Sequence, residues 1–588
     1  MRKTKKLVST ALTIIMTLGI VIGNRATAYA ASNMTVDCKS VIREATHCAN
    51  GSLYGLTENT PGDINGLVAP LHPYVFRNPA RGSNGNQHPY GDAIKVAKRL
   101  ANVPTAKVSI DLADMLPYWP YKWPGMDGWL NQVASFINDK KASGCNNWYG
   151  YEIWNEPDGT FKNNGVSFEQ MWKQTYDLIK RLDPNEKIIG PCDSWYNHNR
   201  MRSFLQFCKA NNCVPDIMSW HELSGVGGIS GHIKAYRALE RELGIRELPI
   251  SINEYCDPEH NLEGQPGSSA RFIGKFERYK IDSAAISWWF TGAPGRLGSL
   301  LATNTQKGAG WYFYKWYGDM TGNMVNVTPP NDDSDKVDGA ACVDNNRQYI
   351  SFIFGGPNDG IINTTFRNIP SFISSKAKVT IEKIDWVNKD AVSYGPTTVS
   401  SSVYNVVNGQ INVSLPNCNS SSGYRIYITK ADGSQNSGNN QQVQGIQSGG
   451  IYKLFNRNSG KALGVHVNST QNGANVIQWR ENGQTSQLWK LTDTGYGYRI
   501  TNVNANKELD VEKVSSDDGA NIDLWQDNGQ TNQRWFIRKT NDGYYVIENI
   551  NSGKVLDVDH GSNQDGANVI QWYSNNGYNQ QWRLVKVN

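Results

Sequence analysis

The chain has 588 residues and a formal net charge of +5, but five of its cationic residues and no acidic residue lie within the first 30 positions. The remainder is therefore close to neutral, which gives no electrostatic basis for binding nucleic acid or an acidic membrane surface and suits a neutral partner such as a polysaccharide. Nine cysteines are too few for a disulfide-built scaffold, and no cysteine or histidine cluster has metal-ligand spacing, so we expect neither a metal ion nor a cofactor. Cys208 with Cys213, and Cys38 with Cys48, are close enough in sequence to pair.

The first 30 residues have the pattern of a secretory signal peptide. A basic start at Arg2 and Lys3 leads into an apolar run over residues 7–22, and small residues follow up to Ala30. The run is short for a membrane span. The sequence therefore predicts cleavage after Ala30 and a secreted, extracellular protein.

Residues 31–308 are predicted to form a (β/α)₈ TIM barrel. Short β-branched runs alternate there with amphipathic helical patterns at the spacing that a parallel strand and its returning helix require. The eight candidate strands cover residues 52–56, 74–77, 108–112, 151–154, 187–190, 216–220, 250–253 and 284–289.

The helix after the fourth candidate strand tests this interpretation. Ser167 and Gln170 form a capping-box pattern, and the apolar residues from Phe168 to Leu182 then fall on one face. Asp183 and Pro184 end the helix. The pattern predicts a helix packed against the barrel.

Residues 309–431 lose the helical period and show short alternating runs, which predicts an antiparallel β-sandwich. Residues 432–448 are rich in Gly, Ser, Asn and Gln, as is typical of a flexible linker.

Residues 449–588 contain a triple repeat. A Gln-x-Trp motif closes at Trp489, Trp535 and Trp582, a period of 46 to 47 residues. This pattern resembles the ricin-B β-trefoil, a family of carbohydrate-binding modules. We expect these three tryptophans to form the trefoil core.

The trefoil resemblance also implies sugar pockets, each built from an early aspartate and a later asparagine. Asp510 with Asn528 and Asp557 with Asn575 match that pattern in the second and third repeats. In the first repeat Gly464 replaces the aspartate, which predicts a missing pocket there. Trp525 and Trp572 either stack on sugar or pack internally.

Two carboxylates stand at the ends of barrel strands, where TIM-barrel enzymes place their reactive groups. Glu156 follows the fourth strand and Glu254 follows the seventh. Retaining hydrolysis of a glycosidic bond needs an acid and a nucleophile about 5 to 5.5 Å apart on opposite faces of the sugar. Ends of non-adjacent strands around one barrel mouth can meet that requirement.

Asn155-Glu156-Pro157 and Glu254-Tyr255 resemble glycoside hydrolase clan A, and residues 151–157 are most similar to its family 39, with families 30 and 5 as neighbours. The resemblance covers residues 53–430. It implies that Glu156 is the acid/base, Glu254 the nucleophile, and Asn155 the partner of the sugar 2-hydroxyl. It also places His221 at the end of strand six.

The chain departs from the family where His221 is followed by Glu222 and Leu223 in place of a His-x-Tyr pattern. This leaves Tyr255 as a candidate partner of the nucleophile and Glu222 as a candidate for altering specificity. Arg77 is expected to place positive charge near one carboxylate.

Aromatic residues supply the remaining candidates. Trp288 is expected to form an apolar wall of the site. Trp119, Trp123 and Tyr118, on a Pro-rich loop, either stack on sugar or seal the edge of the barrel.

The sequence thus predicts a secreted retaining glycoside hydrolase acting on a plant cell-wall polysaccharide, with xylan or an arabinose-containing glycan as the first choice. Tethering a lectin raises the local concentration of the enzyme at a polymer. One alternative is a carbohydrate-binding protein with an inactive barrel. Another is an endo-acting glycanase of family 30 or 5 type.

Overall fold

The computed structural model describes residues 31–82, 85–86, 88–258, 261–287, 294–431, 446–494, 497–540, 543–575 and 577–587. The predicted signal peptide, residues 432–445 of the predicted linker and Trp288 lie outside the described residues. Within these ranges no helix has both the length and the apolar character needed to cross a membrane.

Eight parallel strands close into a barrel, which confirms the predicted TIM-barrel class. Each strand is followed by helical structure; after the first strand this is two one-turn segments, Ile64–Val68 and Ala69–Leu71. After strand β1 (Ser32–Glu44), the barrel strands are β2 (Gly51–Leu53), β3 (Val75–Pro79), β4 (Lys107–Asp111), β5 (Trp148–Glu152), β6 (Ile188–Asp193), β7 (Ile217–Trp220), β8 (Ile250–Tyr255) and β9 (Ser283–Ile286). The helices are α1 (Ala93–Arg99), α2 (Met126–Ala142), α3 (Pro157–Thr160), α4 (Phe168–Leu182), α5 (His198–Ala210), α6 (Ile229–Leu243), α7 (Pro266–Arg278) and α8 (Ala309–Gly318).

Helix α4 forms as its sequence predicts. The Ser167 side chain accepts from the Gln170 backbone N–H, and the Gln170 side chain accepts from the Ser167 backbone, so the capping box is complete. The apolar stripe from Phe168 to Ile179 is buried, and Asp183 ends the helix. Local capping and burial of one face therefore both favour this helix.

A nine-stranded sheet follows the barrel, in the order β15-β14-β17-β12-β11-β10-β1-β13-β16. Phe352 of one half and Phe366 of the other lie 6.0 Å apart in the same core, so the sheet folds over itself as a sandwich. The strands are β10 (Asn323–Thr328), β11 (Asp338–Asp344), β12 (Tyr349–Gly355), β13 (Ile361–Arg367), β14 (Lys376–Ile384), β15 (Thr397–Asn405), β16 (Gln410–Pro416) and β17 (Gly423–Lys430).

Strand β1 corrects the predicted domain limits. It lies in the range assigned to the barrel but pairs antiparallel with β10 and parallel with β13, so the sheet is not purely antiparallel. Met34, Val36 and Cys38 alternate into the sandwich core, and β1 supplies the hydrogen bonds that join the two halves of the sheet. Helix α8, assigned to the sandwich, is instead the eighth helix of the barrel.

Helix α7 fixes the sandwich against the barrel. It is buried along almost its whole length and packs on β11 and β12. Arg278 bonds both Asp332 and Asp338 at 2.6 Å, so an ion network crosses the contact. Because α7 directly follows β8, the sandwich supports the strand that carries Glu254.

The nine cysteines all lie within the described residues, and none of them forms a disulfide bond. Cys38 lies in the sandwich core and Cys48 in the barrel core, so that predicted pair is separated. Cys208 and Cys213 are buried in hydrogen-bonding contact but are not bridged.

Twelve strands build the C-terminal trefoil, four from each repeat. Trp489, Trp535 and Trp582 are fully buried, and each indole N–H donates to a leucine carbonyl 26 residues earlier, which confirms their core role. The strands are β18 (Gly450–Asn456), β19 (Ala462–Val465), β20 (Ala474–Trp479), β21 (Trp489–Asp493), β22 (Tyr498–Asn502), β23 (Lys507–Val511), β24 (Ile522–Trp525), β25 (Trp535–Lys539), β26 (Tyr545–Asn549), β27 (Val555–Val558), β28 (Val569–Trp572) and β29 (Trp582–Val587).

A closed ring of three asparagines joins the repeats. Asn475 donates to Asn568 at 2.8 Å, Asn568 to Asn521 at 2.9 Å, and Asn521 to Asn475 at 2.9 Å. Each side chain both donates and accepts once, so the ring is satisfied only when all three members are present.

We predict that Asn521→Ala destabilises the trefoil by about 1–3 kcal/mol, because it leaves one half-buried donor and one acceptor unpaired. Differential scanning calorimetry would show a lowered midpoint for the trefoil transition. The double variant Asn475→Ala/Asn521→Ala should cost less than the sum of the two single variants, because the two residues share a hydrogen bond. Additive losses would contradict a cooperative ring.

Candidate active site

Glu156 and Glu254 lie at one mouth of the barrel, where the strands end. A side-chain oxygen of each, together with a ring nitrogen of His221, falls within a cluster whose atoms are all within 4.8 Å of one another. Glu254 is almost fully buried, whereas the Glu156 side chain is partly exposed. The two carboxylates thus come close across the barrel from the fourth and seventh strands.

The backbone around Glu156 adopts an unusual conformation. Its φ is 49°, in the left-handed region that non-glycine residues rarely occupy. The Glu156 N–H donates to the Cys192 carbonyl at 2.9 Å, and the Thr160 hydroxyl donates to the Glu156 carbonyl at 2.9 Å. These contacts from β6 and α3 hold a strained residue in place, as is common at functional sites.

A β-bulge in β8 aims Glu254. Between Ile252 and Tyr255 the strand has one residue more than β9 has opposite it. Consecutive residues of a regular strand point to opposite faces, but Asn253 and Glu254 both bond groups inside the barrel. The extra residue therefore brings Glu254 into the site.

Arg77 is a fully buried guanidinium that joins the site together. It donates to Glu254 Oε1 at 2.6 Å, to Glu152 Oε2 at 2.5 Å and to Asp111 Oδ2 at 2.6 Å. It also donates to Asn155 Oδ1 at 2.9 Å. The sequence predicted positive charge from Arg77 near one carboxylate, whereas in the structure Arg77 bonds the carboxylates of Glu254, Glu152 and Asp111.

Glu152 is a member of this network that the sequence analysis did not single out. Besides Arg77, its carboxylate accepts from Ser109 at 2.6 Å and from Asn253 at 2.7 Å, and it is completely buried. The available signal was its place as the last residue of an otherwise apolar strand, because a buried carboxylate needs charged or hydrogen-bonding partners.

Asn155 is oriented by Arg77. Because a guanidinium only donates, the amide oxygen of Asn155 must face Arg77, and its amide nitrogen is then the group it can offer to a ligand. This polarity suits a donor to a sugar hydroxyl.

His221 lies between the two glutamates. Its Nδ1 is 3.1 Å from Glu156 Oε1 and 3.7 Å from Glu254 Oε2. Although burial opposes its charge, the carboxylates of Glu254 and Glu156 raise the pKa of His221. The 3.1 Å contact with His221 therefore helps to orient the Glu156 carboxyl group.

Burial favours the protonated form of Glu254. Burial, together with the negative charge of Glu156, raises the pKa of Glu254 to about 7, while His221 and Arg77 oppose that rise. Because the groups are so close, this proton belongs to the pair. Glu254 Oε2 is buried and accepts no hydrogen bond from the described residues, whereas Oε1 is bonded to Arg77.

Among the described residues, only Glu156, His221 and Glu254 form a cluster with the spacing of a metal site. The Arg77 guanidinium, 2.6 Å from Glu254, supplies positive charge that would repel a cation there. The cluster is therefore a poor site for a cation, and its histidine lies beside both glutamates.

Two residues near the nucleophile do not reach the site, contrary to expectation. Tyr255 points to the opposite face of β8, where its hydroxyl bonds Tyr314 at 2.6 Å. Glu222 turns toward α6 and bonds Trp220 and His232. The bulge ends before Tyr255, which restores the strand alternation and sends this side chain outward. Arg77 is therefore the hydrogen-bond partner of Glu254, a role for which Tyr255 had been the candidate from the sequence.

The loop aromatics divide between the two predicted roles. Trp123 packs against Trp129, Trp154 and Phe161, so it seals the barrel edge. Trp119 is 45% exposed on the loop after β4, where it remains a candidate for stacking on a sugar.

In the trefoil, the predicted partner asparagines do not bond the aspartates. Asn528 forms a turn, with its side-chain oxygen accepting from the Gln530 N–H at 2.9 Å, and Asn575 does the same for Gly577 at 2.8 Å. The side chains that bond the aspartates are Asn532, 2.9 Å from Asp510, and Asn579, 2.9 Å from Asp557.

Asn532 and Asn579 each come directly before the Gln of a Gln-x-Trp motif. This shared position in the second and third repeats is a sequence signal that could have identified them as the partners of the aspartates. The first repeat has Ser486 at the same place and Gly464 in place of the aspartate. Gln487 lies against Gly464, so no carboxylate stands there. Two of the three repeats thus carry an aspartate–asparagine pair.

Comparison with known proteins agrees with this architecture. The model of glycosyl hydrolases family 39 matches residues 130–248, which include Glu156 and His221, and the model of ricin-type β-trefoil lectin domains matches residues 439–525 and 531–588. A solved structure of a protein from Neocallimastix frontalis is 64% identical, with a TM-score of 0.68; the match covers 68% of this chain and 100% of that one.

Two curated relatives are more distant. A 3-O-α-D-galactosyl-α-L-arabinofuranosidase of Bifidobacterium longum subsp. longum is 25% identical over 68% of this chain and 41% of its own length. A 3-O-β-L-arabinopyranosyl-α-L-arabinofuranosidase of Bifidobacterium pseudocatenulatum is 24% identical over 65% of this chain and 46% of its own length. The chain therefore spans less than half the length of either relative.

The paired glutamates on a TIM barrel, the folded sheet beside it and the two matching family models agree: the chain is a glycoside hydrolase whose barrel carries a region similar to glycosyl hydrolases family 39, followed by a ricin-type β-trefoil lectin domain.

Proposed function

We propose that this protein is a secreted, retaining glycoside hydrolase that releases arabinofuranose-containing units from a plant cell-wall polysaccharide. The observation that carries the proposal is the approach of Glu156 and Glu254, whose clustered oxygens lie within 4.8 Å. Retaining enzymes need carboxyl groups about 5 to 5.5 Å apart, whereas inverting enzymes need about 6.5 to 9.5 Å to admit a water molecule.

In the first step, Glu254 Oε2 attacks the anomeric carbon, since Oε1 is held by Arg77. The glycosidic bond breaks, and its oxygen takes the proton of Glu156. In the second step, Glu156 removes a proton from water, the hydroxide attacks the anomeric carbon, and Glu254 leaves as a carboxylate. Asn155 donates to the sugar 2-hydroxyl, and His221 keeps Glu156 oriented.

The substrate class is suggested by the two relatives, because both are named for cleavage at a substituted α-L-arabinofuranosyl unit. Of the two polymers predicted first, xylan or an arabinose-containing glycan, the second agrees with those names. Asp510 with Asn532 and Asp557 with Asn579 are proposed to bind sugar in the trefoil and to keep the enzyme on its polymer.

We predict different outcomes when the two glutamates are removed and azide is added. Glu156→Ala should lower kcat/KM on a natural linkage by about 10²- to 10⁴-fold. With an activated aryl arabinofuranoside, azide should restore turnover of Glu156→Ala and give a glycosyl azide of retained configuration. Glu254→Ala with azide should give the inverted product. Proton NMR of the products checks both assignments, and exchanged configurations would reverse the roles of the two residues.

We predict that kcat/KM falls as the pH rises above about 7, when the glutamate pair loses its shared proton. Glu152→Gln removes a buried negative charge beside Arg77, so it should lower the pKa of the pair and move this alkaline limb by about one unit toward lower pH. Ser109→Ala removes a hydrogen bond to Glu152 without changing its charge. It should therefore reduce activity without moving the limb. An unshifted limb in Glu152→Gln would reduce Glu152 to a packing role.

We predict that Asn532→Ala and Asn579→Ala each weaken retention of the full-length protein in affinity electrophoresis through arabinoxylan or arabinogalactan gels. Each change removes the side chain that holds a pocket aspartate. Ser486→Ala, at the equivalent position of the first repeat, is the matched control and should not change retention. Equal losses in all three variants would argue against the division between repeats.

A further inference from the structure

The connection between β14 and β15 lies at the level of the active-site mouth. Each barrel helix returns from the carboxyl ends of the strands, so the first residue of α8, Ala309, lies on the mouth side. Ala309 lines a cavity of about 290 Å³ together with residues of this connection. The sandwich therefore extends the barrel surface on the side of the loop after β9.

Four contacts fix this connection on the barrel rim. Arg296, in the loop after β9, pairs with Asp390 at 2.8 Å and donates to the Lys389 carbonyl at 3.2 Å. The Ser393 N–H donates to the Lys307 carbonyl at 2.9 Å. Gly395 has a φ of 110° and a Cβ there would lie 3.4 Å from the Tyr312 ring, so the chain passes close to α8. The cavity is therefore formed before any ligand arrives.

The lining of the cavity combines an aromatic face with polar groups. Tyr394 is 46% exposed, and Val387 adds apolar surface. Asp385 is held by Ser422 and Lys383, both at 2.7 Å. The Asn388 oxygen accepts from the Asp390 N–H at 2.9 Å, so its amide nitrogen is the group it can offer to a ligand. An aromatic surface bordered by donors and acceptors suits a sugar ring.

We propose that this cavity is a distal glycan-binding subsite, in which Tyr394 stacks on a sugar unit of the polysaccharide whose scissile bond lies at the Glu156–Glu254 pair. The inference rests on the proposed function, since it requires a polymeric substrate. The ligand class is a neutral oligosaccharide chain. The two charged groups that line the cavity, Lys383 and Asp385, pair with each other at 2.7 Å, so the lining favours neither an anionic nor a cationic ligand.

The test compares a polymer with a short substrate in the full-length protein. The ratio of kcat/KM on arabinoxylan or arabinogalactan to kcat/KM on an aryl arabinofuranoside should fall about two- to tenfold in Tyr394→Ala, the size of one aromatic stacking contact. Tyr394→Phe should keep most of the wild-type ratio. Val403→Ala, an exposed apolar residue on β15 away from the cavity, is the control and should keep the ratio unchanged.

An unchanged ratio in Tyr394→Ala overturns the subsite. If the wild-type protein hydrolyses neither substrate, the proposed function fails, and binding decides the inference separately. Retention on polysaccharide gels is then measured in the Asn532→Ala/Asn579→Ala background, in which the trefoil pockets are disabled. Weaker retention on adding Tyr394→Ala, but not Val403→Ala, supports the subsite; equal retention overturns it.

Discussion

The buried Arg77 guanidinium is the interaction on which the site depends. Although burial disfavours its charge, Glu152, Asp111 and Glu254 raise the pKa of Arg77 well above its usual value. Removing one partner of a buried ion pair is strongly destabilising, and here three carboxylates from three strands would lose their partner together. Arg77 comes from β3, so one side chain ties the second, third, fourth and seventh barrel strands into one geometry. The distance between Glu156 and Glu254 follows from that arrangement.

Burial and nearby positive charge shift the pKa of Glu254 in opposite directions. Arg77 contacts only one oxygen of Glu254, and burial of that residue outweighs the nearby positive charge, so a proton stays at the pair. His221, whose pKa the two carboxylates raise, lies 3.1 Å from Glu156. Burial therefore favours the protonated form of Glu254 up to a pH of about 7, and acid-assisted nucleophilic attack needs one protonated and one ionised carboxyl group. If Glu254 were fully solvated, or if positive charge fully offset the effect of its burial, its carboxyl group would be ionised at neutral pH.

Much of the fold and part of the candidate site could be predicted from the sequence, because those features depend on local sequence patterns. The eight strands, helix α4 and the three core tryptophans follow from periodicity and capping, and Glu156 follows from a compact motif. The failures concern contacts between distant segments. Strand β1 alternates correctly, but nothing local shows that it pairs with β13, more than 300 residues later. The bulge in β8 separates Glu254 from Tyr255, and the alternation of a regular strand cannot reveal it. The place of Glu152 at the end of β5 was a local signal, but its contact with Arg77, 75 residues earlier, was not visible in any local pattern.

The trefoil and the barrel use repetition in opposite ways. In the trefoil, equivalent residues such as Asn475, Asn521 and Asn568 must stay the same because their ring is satisfied only as a set. Pocket residues have no such constraint, and the first repeat has exchanged its aspartate for Gly464 while keeping its core tryptophan. In the barrel, the eight repeated units share their backbone plan, while their strand ends range from Leu53 on β2 to Asp111 on β4 and Trp220 on β7. Repetition in the trefoil therefore extends beyond its core to the aspartate–asparagine pairs of two repeats, whereas in the barrel it ends at the strand ends.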